Sequence, residues 1–510
     1  MKLLDCTLRD GGYYTNWDFD KELVKTYFDS FNQLPVDYLE IGYRSNPMKG
    51  YLGEYFYCPD YVLQQVKATS NKKLVIILNE KDVKVTDLFQ LLSPCVGIID
   101  MVRIAIDPQH LSRGILLAEG IKKMGFEVGF NVMYMSTWAS QKEFLNEIAL
   151  INGIADFFYM VDSFGGVYPE DVKNIYALVR SKTDVKIGFH GHNNMELGLI
   201  NTLTAIECGA DIVDVTVTGM GRGAGNLKTE LLLTALNAKG KLDFDFNPLS
   251  KVVDAFTKLQ EQHQWGTNLP YMFSGANSLP QKDVMEWVGK RYYSFNSIIR
   301  ALNNQSKGIE DNYRLPNYNF SSQTNDTVII IGGGPTVVNQ AEAINNFLSK
   351  NKKYTIIYAS SKNASSINTS SQEHFYCLVG NEGNRLEDVF QGKFEGGKCI
   401  LPPFPRKMGT YIPESFQENA FELTAIDFTD NFQDSHTALA IQTAINLGAS
   451  KAYFLGYDGY SGSSISQKEQ ELFLENQYLF DKALSKGLQC ISLTPTSYGN
   501  LQQESIFSLV

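Results

Sequence analysis

From Met1 to about Val217, short apolar runs rich in β-branched residues alternate with longer segments whose apolar positions recur at helical spacing. The runs predict strands at Lys2–Cys6, Tyr38–Ile41, Lys73–Leu78, Ile98–Ile104, Glu127–Met133, Phe157–Val161, Val185–Phe189 and Ile212–Val217. The segments between them predict helices at Asp20–Phe31, Tyr61–Thr69, Pro108–Met124, Gln141–Gly153, Pro169–Arg180, Met195–Cys208 and Asn226–Ala238. Pro169-Glu170-Asp171 is a helix start of the expected kind, with proline first and acids in the first turn. Eight successive strand–helix units predict an α/β protein whose parallel sheet closes into a (β/α)8 TIM barrel over residues 1–240. A doubly wound open sheet is the alternative, and the lack of a clear edge strand favours closure.

From about Leu242 to Leu302 the period turns helical, through SKVVDAFTKLQEQH, a loop WGTNLPYMFSGANSLP, and QKDVMEWVGKRYYSFNSIIRAL. This predicts a helical extension over residues 241–305, placed to cover the barrel mouth or to build a contact between subunits of a homo-oligomer. The polar stretch Ser306–Asp326 reads as a linker. A second, Rossmann-like α/β domain is expected over residues 327–510. Its strands are Thr327–Ile331, Thr355–Tyr358 and Lys451–Leu455, and its helices Val337–Lys350 and Ala438–Leu447. Gly332-Gly333-Gly334-Pro335 between strand and helix could present free amides to a phosphate, or be only a tight turn. No complete catalytic set is visible in this half.

Composition narrows the function classes. Of 510 residues, 44% are hydrophobic and 20% charged, as in a soluble globular protein of roughly two to four domains. The formal charge of −11, without a Lys/Arg run, excludes a nucleic-acid polymer as the expected partner. Seven cysteines lie scattered with no CxxC, which suits reduced thiols in the cytoplasm. Asp5 comes too soon for a signal peptide, and no apolar run approaches the ~20 residues that span a bilayer. A cytoplasmic protein without a membrane partner is expected.

Polar and glycine residues gather just after the strands: Arg9-Asp10-Gly11-Gly12, Asp162-Ser163-Phe164-Gly165-Gly166, His190-Gly191-His192 and the run Gly219–Asn226. Glu40 and Arg44 flank the end of the second strand, and Arg103 lies within the fourth. In a barrel of this kind strand C-termini and the following loops form the active face. Two histidines at i and i+2 on a strand end point to one side, so with a carboxylate from elsewhere they can hold a divalent metal with open positions. A pair of polar loop histidines is the alternative.

The motifs LLDCTLRDGGY, VRIA (Val102–Ala105), MVDSFGG, FHGHNN and GMGRGAGN, in that order, resemble the pyruvate-aldolase branch of the metal-dependent lyase and aldolase TIM barrels. The resemblance covers about Met1 to Leu302. It implies Mn2+ or Mg2+ held by Asp10, His190 and His192, with Asn226 as a further ligand, and Ser163 as a contact to a substrate carboxylate. A 2-oxo acid such as pyruvate and an aldehyde, conceivably sugar-derived, are the expected small-molecule substrates. Arg9 would add permanent positive charge where negative charge develops, or be only a structural salt bridge to a carboxylate such as Glu40. Asp10 could alternatively cap a helix. Where the family's 4-hydroxy-2-oxovalerate aldolases carry a base histidine, this chain has Tyr13, a poor base at neutral pH but able to relay a proton, or simply to pack. The family's C-terminal tyrosine corresponds to Tyr271 in the extension, and His263 is a substitute base or an exposed helix residue. No acidic residue follows RDG, which favours an aldolase over acyl-CoA condensation. A catalytically weakened barrel serving as scaffold is the remaining alternative.

IIIGGGPTV and SHTALAIQTAINLGASKAYFLGYDGY are similar to a Rossmann-like family of flagellin-modifying glycosyltransferase-like and pterin-pyrophosphokinase-like domains. That similarity implies a nucleotide or nucleotide-sugar ligand at the C-terminal domain and a role in surface-polysaccharide synthesis.

Overall fold

Strands that are apolar along their whole length must be covered on both faces, and a closed parallel sheet inside a ring of helices achieves this. The computed structural model describes residues 1–289, 294–320, 326–394, 396–406, 408–460 and 467–510. It divides into two compact units, Met1–Met285 and Glu286–Val510, parting inside the stretch expected to be one helical extension. In the first unit eight parallel strands follow one another in sequence order: β1 (Lys2–Asp5), β2 (Tyr38–Tyr43), β3 (Lys73–Asn79), β4 (Met101–Ile106), β5 (Glu127–Val132), β6 (Phe157–Asp162), β7 (Lys186–Gly191) and β8 (Ile212–Val215). β1 pairs with both β2 and β8, so the barrel is closed and the open-sheet alternative falls. A small inner cluster including Leu4, Tyr38, Met101, Phe157 and Tyr159 is separate from the larger apolar cluster of the first unit. In that larger cluster Trp138 is fully buried, edge-on to Phe158 and tilted on Phe144. Trp138→Ala is expected to lower the unfolding free energy by about 3–5 kcal/mol, measured by denaturant titration.

Two elements differ from the expectation. Thr7–Thr15, read as a loop, is a helix directly after β1. Its two adjacent glycines, each about 1 kcal/mol worse than alanine in a helix, hide it from propensity. Gly12 is there for space: a Cβ would lie 2.1 Å from the Trp17 ring. The expected loop at Trp265–Pro280 also contains a helix, Leu269–Ala276, capped by the Asn268 side chain on the Tyr271 amide. Beyond it Gln281–Gly289 and Phe295–Ser306 are helical, while residues 290–293 of the predicted helix lie outside the described residues, as do residues 321–325 of the expected linker.

The second unit is an eight-stranded, all-parallel open sheet. Its strands are β9 (Thr327–Ile331), β10 (Thr355–Tyr358), β11 (His374–Cys377), β12 (Lys398–Leu401), β13 (Ala420–Glu422), β14 (Lys451–Leu455), β15 (Gln489–Ser492) and β16 (Gln502–Gln503). Their order is β13-β12-β11-β10-β9-β14-β15-β16, so the winding reverses between β9 and β14. Two apolar clusters are buried in this unit. β11, β12, β13, β15 and β16, of two to four residues, were not foreseen. At the glycine turn, the Thr336 amide and hydroxyl both donate to the Asp458 carboxylate, and Asn363 donates to the Gly333 and Gly334 carbonyls. A carboxylate already occupies the place a phosphate would take, so this turn is the tight strand-to-helix connection rather than a phosphate cradle. Among the described residues no helix is long and apolar enough to cross a membrane.

Candidate active site

Asp10 follows β1, Ser163 follows β6, His190 lies in β7 with His192 just after it, and Asn226 follows β8. All of them therefore gather at the C-terminal end of the barrel. Asp10, His190 and His192 offer ligand atoms within 4.8 Å of one another. The helix Thr7–Thr15 turns both Arg9 and Asp10 inward, where they are 7% and 2% exposed. Asp10 makes no capping bond; it accepts from Arg9 Nη1 and from Asn226 Nδ2 (2.6 Å), and its Oδ2 lies 3.7 Å from His190 Nε2.

The hydrogen bonds behind the histidines set their tautomers. His192 Nδ1 faces the Asp162 carbonyl at 2.7 Å, and a carbonyl only accepts, so the proton is on Nδ1 and Nε2 keeps its lone pair. His190 Nδ1 donates to Asp214 Oδ2 at 2.8 Å, leaving its Nε2 free toward Asp10. Burial, helped by His190, pushes the His192 pKa down to about 3, so the ring is neutral at working pH. Burial disfavours the Asp10 charge, but Arg9, the two histidines and the Asn226 bond outweigh it and hold the carboxyl below its ordinary range.

Around this group runs a closed ring of buried charge. Arg9 joins Asp10 to Glu40 (Nε–Oε2 2.6 Å), and Arg103 joins Glu40 (3.4 Å) to Asp214 (2.6 Å). Asp214 then bonds His190, which returns to Asp10. The ring thus brings three carboxylates and two guanidiniums together with the His190 imidazole, and a cation seated beside it would be balanced by the carboxylates. Asn226 Oδ1 is also buried without a hydrogen-bond partner, an oxygen donor beside Asp10. The residues therefore fit a divalent cation with nitrogen and oxygen ligands. A second group, Cys6, His190 and Asp214, also clusters. It fits less well, because burial raises the Cys6 thiol pKa well above its ordinary value and Asp214 already accepts from Arg103 and His190.

A cavity of about 90 Å3 opens on this group, lined by Arg9, Asp10, Tyr13, Tyr43, Ser163, His190, His192 and Arg222, among others. Arg9 is thus both the salt bridge to Glu40 and a group on the cavity wall. Tyr13 is part-exposed there, its hydroxyl 3.5 Å from that of Tyr43. Tyr271 is not brought to the cavity; it is buried against Gly223, and burial raises its hydroxyl pKa to about 12. His263 likewise stays away, its ring 5.9 Å from that of Tyr14 at the end of the helix Phe246–His263. The contributions of Asp214 and Arg103 were missed, although a lone carboxylate within the apolar run IVDV was a usable signal.

Residues 106–264 match the HMGL-like family. The chain is 30% identical over 271 residues to a 4-hydroxy-2-oxovalerate aldolase of Bacillus cereus, which covers 50% of this chain and 75% of the relative. The chain belongs to the HMGL-like family. An oxaloacetate decarboxylase of Mycobacterium tuberculosis is 28% identical over 251 residues, 47% of this chain and 71% of the relative. The crystallised N-terminal domain of a candidate aldolase from Bacteroides vulgatus is 59% identical, with a TM-score of 0.57, over 59% of this chain and 100% of its own. Relatives of this HMGL-like chain thus carry the names of carbon–carbon lyases. In an HMGL-like site built this way, Asp214→Asn should weaken cation binding about 10- to 100-fold through loss of the His190 orientation, read by calorimetric titration.

Proposed function

We propose that the first unit is a divalent-metal-dependent aldolase that makes or breaks a carbon–carbon bond between a 2-oxo acid, pyruvate being the simplest, and an aldehyde. Asp10, His190 and His192 would hold Mn2+ or Mg2+, with Asn226 Oδ1 as a further donor. The observation that carries this reading is that both imidazoles, oriented by the Asp162 carbonyl and the Asp214 carboxylate, offer ring nitrogens within 4.8 Å of the Asp10 carboxylate. When bound, the cation supplies Lewis-acid polarisation of the keto oxygen. The relatives' names support the same chemistry: cleaving a 4-hydroxy-2-oxo acid and decarboxylating oxaloacetate both break a bond next to the carbon that becomes pyruvate's methyl group.

The chain's own residues would do the following. Arg9, whose charge Asp10 and Glu40 maintain against burial, stands on the cavity wall and stabilises developing oxyanion charge without reorganising. Ser163 presents its hydroxyl to the substrate carboxylate. Tyr13 relays the proton of the substrate hydroxyl. Since an ordinary tyrosine titrates near ~10 and a histidine near ~6.5, Tyr13→His should raise the rate of 4-hydroxy-2-oxo acid cleavage at neutral pH about tenfold or more, measured as kcat. The reading is tested by incubating the full chain with Mn2+ and pyruvate in D2O. Deuterium should enter the methyl group; bound metal without exchange contradicts it.

For the second unit the proposed ligand is a nucleotide or nucleotide-sugar, in a reduced cytoplasmic setting that suits the seven free cysteines. A cavity of about 470 Å3 beyond β11 and β12, lined by Gly380, Phe404, Arg406, Thr410 and Phe432 among others, supports it. Uridine- and guanosine-diphosphate sugars should raise the Tm of the full chain by several degrees at millimolar concentration. A flat panel contradicts the proposal.

A further inference from the structure

The small cavity at the metal-ligating group does not end there. Ser163 and Arg222 line it and also line a second cavity of about 620 Å3 in the same unit. The first has space for a three-carbon 2-oxo acid; the second falls in the range of about 300–1,000 Å3 that holds ligands of many heavy atoms. A two-carbon aldehyde would leave it nearly unfilled.

The second cavity is also built for something specific. Tyr134 sits in the left-handed region, at φ +61°, which is rare for a residue with a side chain and is concentrated at functional sites. Its amide donates to Ser163 Oγ at 2.9 Å, and its ring packs on Phe164 with centroids 5.3 Å apart. This holds an aromatic wall directly beside the serine shared by both cavities. Gln109, Thr137, Ser140 and Gln141 add amide and hydroxyl groups to the lining, suited to a chain of hydroxyls. Charge is supplied by Arg222 and by Lys282, the latter exposed on the helix Gln281–Gly289. The one carboxylate of the lining, Asp107, accepts from the Gln109 amide at 3.0 Å as a helix cap. The balance of the wall is positive, and Arg222 makes no ion pair among the described residues.

Resting on the aldolase reading, we infer that the aldehyde partner is a polyhydroxylated chain of about four or more carbons ending in an anionic group, phosphate or carboxylate, bound in the cavity beyond Ser163. In the addition direction the pyruvate methyl carbon loses a proton and its electron pair forms a bond to the aldehyde carbon. The aldehyde π pair moves to its oxygen, which takes up a proton, so that pyruvate and aldehyde give one 4-hydroxy-2-oxo acid with nothing else consumed. The anionic end meets Arg222 and Lys282 by charge-assisted hydrogen bonds.

The test uses the full chain with Mn2+ and pyruvate, and compares kcat/KM for acetaldehyde, erythrose, erythrose 4-phosphate, 2,3-dihydroxy-4-oxobutanoate and succinic semialdehyde. Erythrose 4-phosphate should exceed erythrose about tenfold or more, and acetaldehyde by more again. Preference for 2,3-dihydroxy-4-oxobutanoate over erythrose 4-phosphate assigns the anion as carboxylate, the reverse as phosphate, and preference for the hydroxyl-free succinic semialdehyde over both overturns the polyhydroxylated chain. Lys282→Glu should lower the ratio of charged to neutral aldehyde about tenfold or more. Equal or better use of acetaldehyde, or a ratio untouched by Lys282→Glu, overturns the inference while pyruvate exchange in D2O persists. Absence of that exchange instead removes the aldolase reading, and this inference with it.

Discussion

His192→Ala and Asp10→Asn are each expected to lower aldol turnover by about 1,000-fold or more. A bound cation acting as Lewis acid supplies several kcal/mol of transition-state stabilisation, and each 1.36 kcal/mol is about tenfold in rate. Either change removes a donor from the group: without the Asp10 carboxylate the two imidazoles and Asn226 Oδ1 remain, and without His192 one imidazole, one carboxylate and Asn226 Oδ1. Fold should survive His192→Ala, because the ring bonds only the Asp162 carbonyl and Asp162 is held independently by the amides of Gly166 and Val167. Steady-state rates with 4-hydroxy-2-oxo acids, beside circular dichroism of both variants, check this. A folded His192→Ala protein with more than a tenth of the original rate contradicts the assignment.

The second large effect is expected at Arg9. Removing one preorganised donor from developing oxyanion charge costs about 100- to 1,000-fold in kcat, and Arg9→Ala should lose at least that. Arg9→Lys should recover little, since the guanidinium reaches Glu40 through Nε and Asp10 through Nη1 at once, a fork that a point-like ammonium cannot reproduce. Arg9→Ala also leaves Glu40 facing only Arg103 at 3.4 Å, so some loss of stability will accompany it. Tm measured beside kcat per folded protein separates the two effects: lost oxyanion stabilisation lowers kcat of the folded fraction, whereas a loosened fold lowers the Tm and the folded fraction.

Much of this was legible in the chain, for physical reasons that differ by residue. The barrel strands are mostly apolar runs recurring at regular spacing, so they appear directly, and strand order then brings Asp10 and the two histidines to one end however far apart they stand in sequence. The helix Thr7–Thr15 was illegible because tertiary contact decides it: Gly12 is needed for the close approach of Trp17, against its helix propensity. Arg103 was legible as a residue but not as a role. A fully buried arginine makes sense only once Glu40, Asp214 and the Tyr159 ring, 4.0 Å from its guanidinium carbon, surround it. The place of Tyr271, outside the lining of the small cavity, was not legible because the helix that carries it is set by the Asn268 cap and by burial against Gly223, neither visible in spacing. The larger cavity could not be foreseen at all, since it draws on loops around Asp107, Tyr134 and Lys282 that no local pattern connects. In the second unit the glycine turn reads in sequence as a phosphate cradle or a tight turn alike, because the Asp458 carboxylate that accepts from the Thr336 amide comes from a distant strand end.

The most direct measurement is Mn2+ binding followed by electron paramagnetic resonance on the full chain and on His192→Ala. The account predicts one tightly held ion per chain in the original protein, and free aqueous Mn2+ signal throughout the titration of the folded variant. An original chain that holds no ion, or a variant that binds as the original does, would contradict it.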